Sequence, residues 1–339
     1  MGEWVAQQNL TVVIVLGLAA LAILVASSEQ AVKRLVGLAH YANLSTAFVG
    51  MTVVSLATSI PEITAHYTAS VGILRGSLDF QIGSSIVLGA NIGSDVIQQT
   101  LIMGIVVFFA GVLKFKRYFL YKSMIPMIGT TVMCIILGWD RVYSRLDGAI
   151  LFGTFIAYTY YLFIDERRYY RKEDQHVSEE VPGSGKQAAL WGLIALGAMV
   201  LTIGSAQIVL SITQLVVQRT GIGGSFVGVI TLGVASALPE FITAVAGIRR
   251  HDSGIPLGTL VGSNITNPLV AIGGGALIST YWAPQPLLYW DLPWETVTGL
   301  ALWAILWITK GKLNRIGAVY LILLYVAYIT MRALFFLAD

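Results

Sequence analysis

Two glutamates stand in stretches otherwise apolar enough to sit in lipid. Glu62 lies in MTVVSLATSIPEITAHYTA (51–69) and Glu240 in TLGVASALPE (231–240). A carboxylate at membrane depth is costly and normally faces a bundle interior or a watery cavity. Each follows a proline, Pro61 or Pro239, which has no N–H to donate and clashes with the preceding turn. The helix is therefore loosened just before each acid, and carbonyls freed there can line a cavity or accept bonds and cations. Thr58 and Ser59 lie four and three positions before Glu62, and Ser236 lies four before Glu240. That spacing predicts hydroxyls on roughly the glutamate face.

A second pair of segments adds amides and further hydroxyls. GANIGSDVIQ (89–98) carries Asn91, Ser94, Asp95 and Gln98, and GTLVGSNITN (258–267) carries Ser263, Asn264 and Asn267. Ser94 and Gln98 are four apart, as are Ser263 and Asn267, so each pair shares a helix face. Gly89, Gly93, Gly258 and Gly262 beside them permit close backbone approach. Together the four segments predict a central oxygen cage with two formal negative charges, and a third if Asp95 joins it. Calcium suits such a cage, because it accepts carboxylate, hydroxyl and carbonyl oxygens in flexible arrangements, whereas magnesium dehydrates reluctantly. His40, His66, His176 and His251 are scattered and the single cysteine is Cys134, so zinc or copper is not indicated. His66 reads as a packing or cavity-wall residue, with modulation of protonation as the alternative. One calcium ion, two protons or sodium ions could each neutralise the two glutamates. Charge balance thus predicts competition between ions without choosing the counter-ion, and no tightly bound cofactor is implied.

The elements that carry these residues are membrane spans. The chain of 339 residues is 56% hydrophobic and 12% charged, against about 25% charged in a soluble domain. We read an all-α integral membrane protein with ten spans near 9–28, 42–72, 82–111, 119–139, 148–164, 188–213, 224–248, 256–280, 292–309 and 316–337. The first run lacks a basic leader and reads as a retained helix, not a signal peptide. Polar residues 165–187 form a hydrophilic linker between a first five-helix repeat (1–164) and a second (188–339). Sixteen of the 21 Lys and Arg residues fall in alternate loops, including the linker, and five on the opposite side. This bias predicts a cytoplasmic linker with both termini outside. The net charge of +3 is explained by that asymmetry and not by nucleic-acid binding.

The two halves repeat each other. LVASSEQAV (24–32) matches LTIGSAQIV (201–209), and GMTVVSLATSIPEITA (50–65) matches GVITLGVASALPEFITA (228–244). An odd number of spans per half makes the second copy enter the membrane in the opposite sense, the plan of alternating-access carriers. Small-residue packing of helices explains scattered Gly, Ala and Ser but not a recurring Pro-Glu pair. A cation channel, the alternative class, would need a continuous polar path, whereas these polar groups concentrate near one depth.

The paired segments ATSIPE…GANIGSDVIQ and ASALPE…GTLVGSNITN resemble the alpha repeats of the cation/calcium exchanger superfamily, closest in motif to prokaryotic sodium/calcium exchangers. The resemblance covers essentially the whole chain. It implies secondary active calcium transport against sodium or protons, in two inverted five-helix halves. Helices two, three, seven and eight would surround the ions. The family's two essential acids fall at Glu62 and Glu240. Its hydroxyl ligands fall at Thr58, Ser59, Ser236, Ser94 and Ser263, with Ala237 replacing one hydroxyl. Its further amide or acidic positions fall at Gln98 and Asn267, where sodium-coupled relatives carry an asparagine and an aspartate. Asp95 stands where the GSN element has asparagine. TSIPE resembles the sodium-coupled branch, whereas the neutral Gln98 and Asn267 also suit proton coupling. The expected setting is a prokaryotic plasma membrane, with the lipid bilayer and the transported cations as partners and a monomer as the working unit.

Overall fold

Backbone polar groups in lipid have no water to bond, so long apolar runs close their hydrogen bonds internally as helices. The computed structural model describes residues 8–41, 55–115, 120–169, 181–249 and 254–339, and it is built almost entirely of helices. In order they are α1 (Leu10–Tyr41), α2 (Ser55–Thr58), α3 (Ile60–Leu74), α4 (Phe80–Ala110), α5 (Leu120–Leu137), α6 (Arg145–Tyr169) and α7 (Gly185–Thr220). Next, α8 runs from Gly224–Gly228 through a π-helical turn, Val229–Gly233, to Val234–Ser236, and α9 is Leu238–Arg249. The helix α10 is Gly254–Thr266, continued by a π-helical turn, Asn267–Ile272, and by Gly273–Ile278. The turn Leu287–Asp291 leads into α11 (Leu292–Ile308), and α12 is Arg315–Phe335.

Among the described residues seven helical stretches are long and apolar enough to cross a membrane. They lie in α1, α4, α5, α6, α7, α8 running into α9, and α12. The expected spans 42–72, 256–280 and 292–309 are not among the seven. Residues 42–54 of the first lie outside the described residues, and the rest is divided at Ser59. The third is a helix of 17 residues, Leu292–Ile308. Also outside the described residues are Lys116, Arg117, Arg250, His176, His251 and residues 170–180 of the linker. Both α1 and α7 run well past their expected ends at 28 and 213. Apolar side chains such as Leu193, Leu196 and Val200 on α7 and Leu323 and Leu334 on α12 are exposed, as a lipid-facing surface requires.

The packing joins early helices to late ones. The helix α1 runs along α7, α4 lies against α8, α6 against the end of α10, and α12 against the end of α4. Two short antiparallel pairs tie helix ends together. In one, β1 (Val112–Lys114), directly after α4, pairs with β4 (Lys312–Asn314), directly before α12. In the other, β3 (Tyr281–Trp282), after α10, pairs with β2 (Val142–Tyr143), before α6. The buried core gathers Ile86, Leu88 and Ile92 of α4 with Val227 and Leu232 of α8 and Leu260 and Ile265 of α10.

The α4–α8 contact is made backbone to backbone. A Cβ on Gly89 would lie 2.2 Å from the Ser225 carbonyl oxygen, and one on Gly228 would lie 2.2 Å from that of Ile86. The helix carrying Ser94, Asp95 and Gln98 is thereby fixed against the one carrying Ser236. Gly89→Ala is expected to lower the apparent thermal midpoint in detergent through overpacking of about 1–3 kcal/mol. Gly153→Ala on α6, where a Cβ meets nothing within 4 Å, should leave the midpoint unchanged or raise it.

Candidate cation site

The two Pro-Glu pairs sit at matching breaks. Pro61 and Pro239 cannot donate to the carbonyls four residues back, those of Ala57 and Ala235. The helical run is interrupted at Ser59 and at Ala237, each three residues before its glutamate. Both backbones stay near the helical region, with φ, ψ of −79°, 5° at Ser59 and −77°, −7° at Ala237.

The two breaks also bring hydroxyls to the acid of the other half. Thr58 lies beside Glu240, and Ser236 lies beside Glu62, so each break presents its hydroxyl to the other acid. Each hydroxyl also has a backbone acceptor within its own turn. Thr58 donates to the Ser55 carbonyl at 3.2 Å and Ser236 to the Gly233 carbonyl at 3.3 Å. Ser55 in turn shares a 2.8 Å hydrogen bond with Thr266 of α10.

Glu62 is buried and receives one hydrogen bond, from Ser94 Oγ to Oε1 at 2.8 Å. Among the described residues its Oε2 has no donor within hydrogen-bond geometry, and neither oxygen of the fully buried Glu240 has one. Ser94 accepts from Gln98 Nε2 at 2.9 Å, and Gln98 Oε1 accepts from Ser263. The directed chain Ser263, Gln98, Ser94, Glu62 thus bridges α10 and α3 through α4, with both ends of the Gln98 amide in use. Asp95 faces α10, where its carboxylate accepts from Asn267 Nδ2 at 2.7 Å and its carbonyl from Asn264 Nδ2 at 3.2 Å. A carboxylate only accepts, so it fixes each amide it meets with nitrogen inward. The oxygens of Asn264 and Asn267 are left buried without donors, as are Ser59 Oγ and both side-chain polar atoms of Asn91.

This is an acceptor-rich interior: buried oxygens outnumber the donors that reach them. Buried polar groups are normally paired, and buried charges are paired or bind metal. Among the described residues no three His, Cys, Asp or Glu side chains converge into a metal-holding group. A cation held between Glu62 and Glu240 would draw on hydroxyl, amide and carbonyl oxygens as well, a donor set that fits calcium or sodium. His66 packs edge-on against Tyr281, whose hydroxyl donates to the His66 carbonyl at 2.9 Å and bonds Ser70 at 2.6 Å.

A second polar cluster lies where α11 enters. Asp291 and Arg332 form a fully buried ion pair at 3.1 Å, with the Tyr328 hydroxyl donating to Asp291 at 2.8 Å. Arg332 also donates to Ser225 Oγ at 2.6 Å, tying α12 to the start of α8. One turn on, Glu295 accepts from Thr131 of α5 at 2.7 Å. Charge counting places Arg332 on a loop side, whereas the structure buries it with Asp291. Glu295 was findable by the same rule that singles out Glu62: it is an acid inside an expected span.

Crossed acids at paired helix breaks, set in an apolar multi-helix body, define a membrane cation carrier. The chain belongs to the sodium/calcium exchanger protein family, whose model matches residues 12–164 and 189–334. The sodium/calcium exchanger MaX1 of Methanosarcina acetivorans is 25% identical, over 95% of this chain and 99% of its own. Among solved structures, the sodium-calcium exchanger NCX_Mj superposes with a TM-score of 0.62 at 20% identity, covering 94% of this chain and 97% of that one. The H+/Ca2+ exchanger CAX gives a TM-score of 0.74 at 16% identity, covering 95% and 82%. At those identities the two structures establish the fold.

The Asp291–Arg332 pair gives a direct test of the α11–α12 contact. Arg332→Met should cost about 3–5 kcal/mol by leaving a buried carboxylate unpaired, read as a lower unfolding midpoint by tryptophan fluorescence. Replacing both partners, Asp291→Leu with Arg332→Met, should recover most of that loss.

Proposed function

We propose that this protein is a secondary antiporter that exchanges Ca2+ for Na+ by alternating access. The site would be built around Glu62 and Glu240, with Thr58, Ser59, Ser94, Ser236, Ser263, Gln98, Asn267 and Asp95 around them. The observation that carries the reading is the set of three donor-less carboxylate oxygens, Glu62 Oε2 and Glu240 Oε1 and Oε2, buried at facing helix breaks. Two carboxylates there match the charge of one divalent ion. The surrounding hydroxyls and the free Asn267 oxygen suit the partial dehydration that either cation undergoes on entry.

The matched features support an arrangement of ten spans in two inverted halves, 1–164 and 188–339, joined by the linker 165–187. The breaks at Ser59 and Ala237 correspond, as do the π-helical turns beginning at Gln98 and Asn267 and the strand pairs β1–β4 and β3–β2. A carrier needs one layer that moves past another. The helices α1 and α7 fit that part: they pack along each other, joined by a 2.9 Å Ser27–Thr202 hydrogen bond, and bury few of their residues. By contrast α4 is mostly buried. The Lys and Arg distribution orients the linker to the cytoplasm and both termini outward.

Neutral Gln98 and Asn267 favour a second reading, H+/Ca2+ antiport with the glutamates as proton carriers. Radioactive calcium uptake into liposomes separates the two, with an outward sodium or an outward proton gradient imposed at clamped voltage. Sodium-driven uptake is expected, and uptake driven by protons alone would reassign the counter-ion. Glu62→Gln and Glu240→Gln should each reduce uptake to background while the unfolding midpoint stays level or rises, because each removes a buried carboxylate. Normal transport by either variant would overturn the assignment.

A further inference from the structure

Asp291 and Glu295 lie one helical turn apart, both buried, and the fold treats them differently. Asp291 has an arginine: Arg332 holds it at 3.1 Å, backed by the Tyr328 hydroxyl. Glu295 has no base. Its Oε1 accepts a single hydrogen bond, from Thr131 of α5. The titratable groups in electrostatic reach are Asp95 of α4, Cys134 of α5, Tyr143 of β2 and Asp291 of its own entry turn. All are acids or become anions. The nearby cation, Arg332 of α12, is already committed to Asp291.

Gln99 of α4 is packed beside the same turn. Its nitrogen donates to the Glu295 carbonyl at 3.0 Å and to Thr298 Oγ1 at 3.1 Å. Its own oxygen, on a side chain 3% exposed, has no donor. The turn therefore holds a buried carboxylate whose one donated hydrogen bond comes from Thr131, a hydroxyl that also has the Met127 carbonyl within 3.3 Å, beside an amide oxygen that receives none. A further proton on the carboxyl would supply the missing donor and remove the charge. Nothing in the cation cage uses Glu295, yet one group ties the two regions together. Asp95 lies four residues before Gln99, on the same face of α4, and holds the Asn267 amide of the cage, while Gln99 holds the Glu295 carbonyl.

We propose that Glu295 is a proton-binding site, distinct from the cation cage and linked to it through Asp95, so that a divalent cation entering the cage expels the proton. The step is an acid dissociation. The Glu295 O–H bond breaks, its electron pair stays on the carboxyl oxygen, and the proton passes to solvent. Two positive charges entering beside Asp95 stabilise the carboxylate left behind, and their departure favours reprotonation. Only this linkage rests on the cage assignment; the proton site itself does not.

Infrared difference spectroscopy on the purified full-length chain in lipid nanodiscs tests both parts. The C=O stretch of a protonated carboxyl is followed against pH, with and without Ca2+, while Ca2+ binding is measured separately by calorimetry. The wild type should show a protonated-carboxyl band that is missing from Glu295→Gln and that bleaches when Ca2+ is added at fixed pH. Protons released on Ca2+ addition in weak buffer should fall by about one per chain in that variant. Thr131→Val keeps the carboxyl and removes its donated hydrogen bond, so the band should shift in frequency and not vanish. Should Glu295→Gln fold poorly, that shift still assigns the band. Identical spectra for the wild type, Glu295→Gln and Thr131→Val across the pH range would overturn the proton site. A Glu295 band indifferent to Ca2+, in protein that binds Ca2+, would overturn the linkage. A Glu295 band in protein that binds no Ca2+ would uphold the proton site and overturn the cage.

Discussion

A carboxylate enters the interior of a membrane protein only if something there answers its charge, and this chain arranges its helices around that demand. Lipid supplies neither water nor counter-ion, so the helices must. At Asp291 the answer is Arg332, permanent and structural. At Glu62 and Glu240 the structure gives one serine hydroxyl and leaves three oxygens without donors. A filled, rigid pair stabilises a fold, whereas an unanswered pair makes the fold depend on what it binds.

The local structure serves that arrangement. At the proline breaks Thr58 lies beside Glu240 and Ser236 beside Glu62. The two acids are thereby brought together from distant stretches of chain. The glycine contact between α4 and α8 removes the space in which that sharing could loosen, because no side chain separates the backbones. Gln98, joined at both ends to serines, closes the remaining gap with a neutral group. In the site proposed above, an ion that recruits Ser94 or Ser263 through its lone pairs would compete with that bridge.

Much of this was readable in the residues. An acid after a proline in an apolar run is rare enough to mark Glu62 and Glu240, and the repeated GS element marks Ser94 and Ser263. Helix spacing, however, describes one helix at a time. It relates Thr58 to Glu62, and the further proximity of Thr58 to Glu240 appears only when the two halves are packed together. The π-helical turns at Gln98 and Asn267 leave no mark except a polar residue at the start of each. Arg332 was counted among the five basic residues of one side although it falls inside the expected span 316–337, and Asp291 lies one residue outside the expected span 292–309, so nothing in the sequence paired them. The expected boundaries of α1 and α7 were short because lipid-exposed helices continue into polar residues without losing their hydrogen bonds.

The strand pairs and the main helix contacts all join residues before 170 to residues after 181. This bears on biogenesis. A chain enters its membrane from the N-terminal end as it is made. The early helices therefore wait in lipid with Asp95 and Gln98 facing Asn267 and Ser263, partners that do not yet exist. Neither part can reach its final packing alone, and the early part must be held, by the insertion machinery or by water drawn in beside it, until α8 and α10 arrive. The polar face that later serves ions is, during synthesis, the surface that keeps the half-made protein from settling.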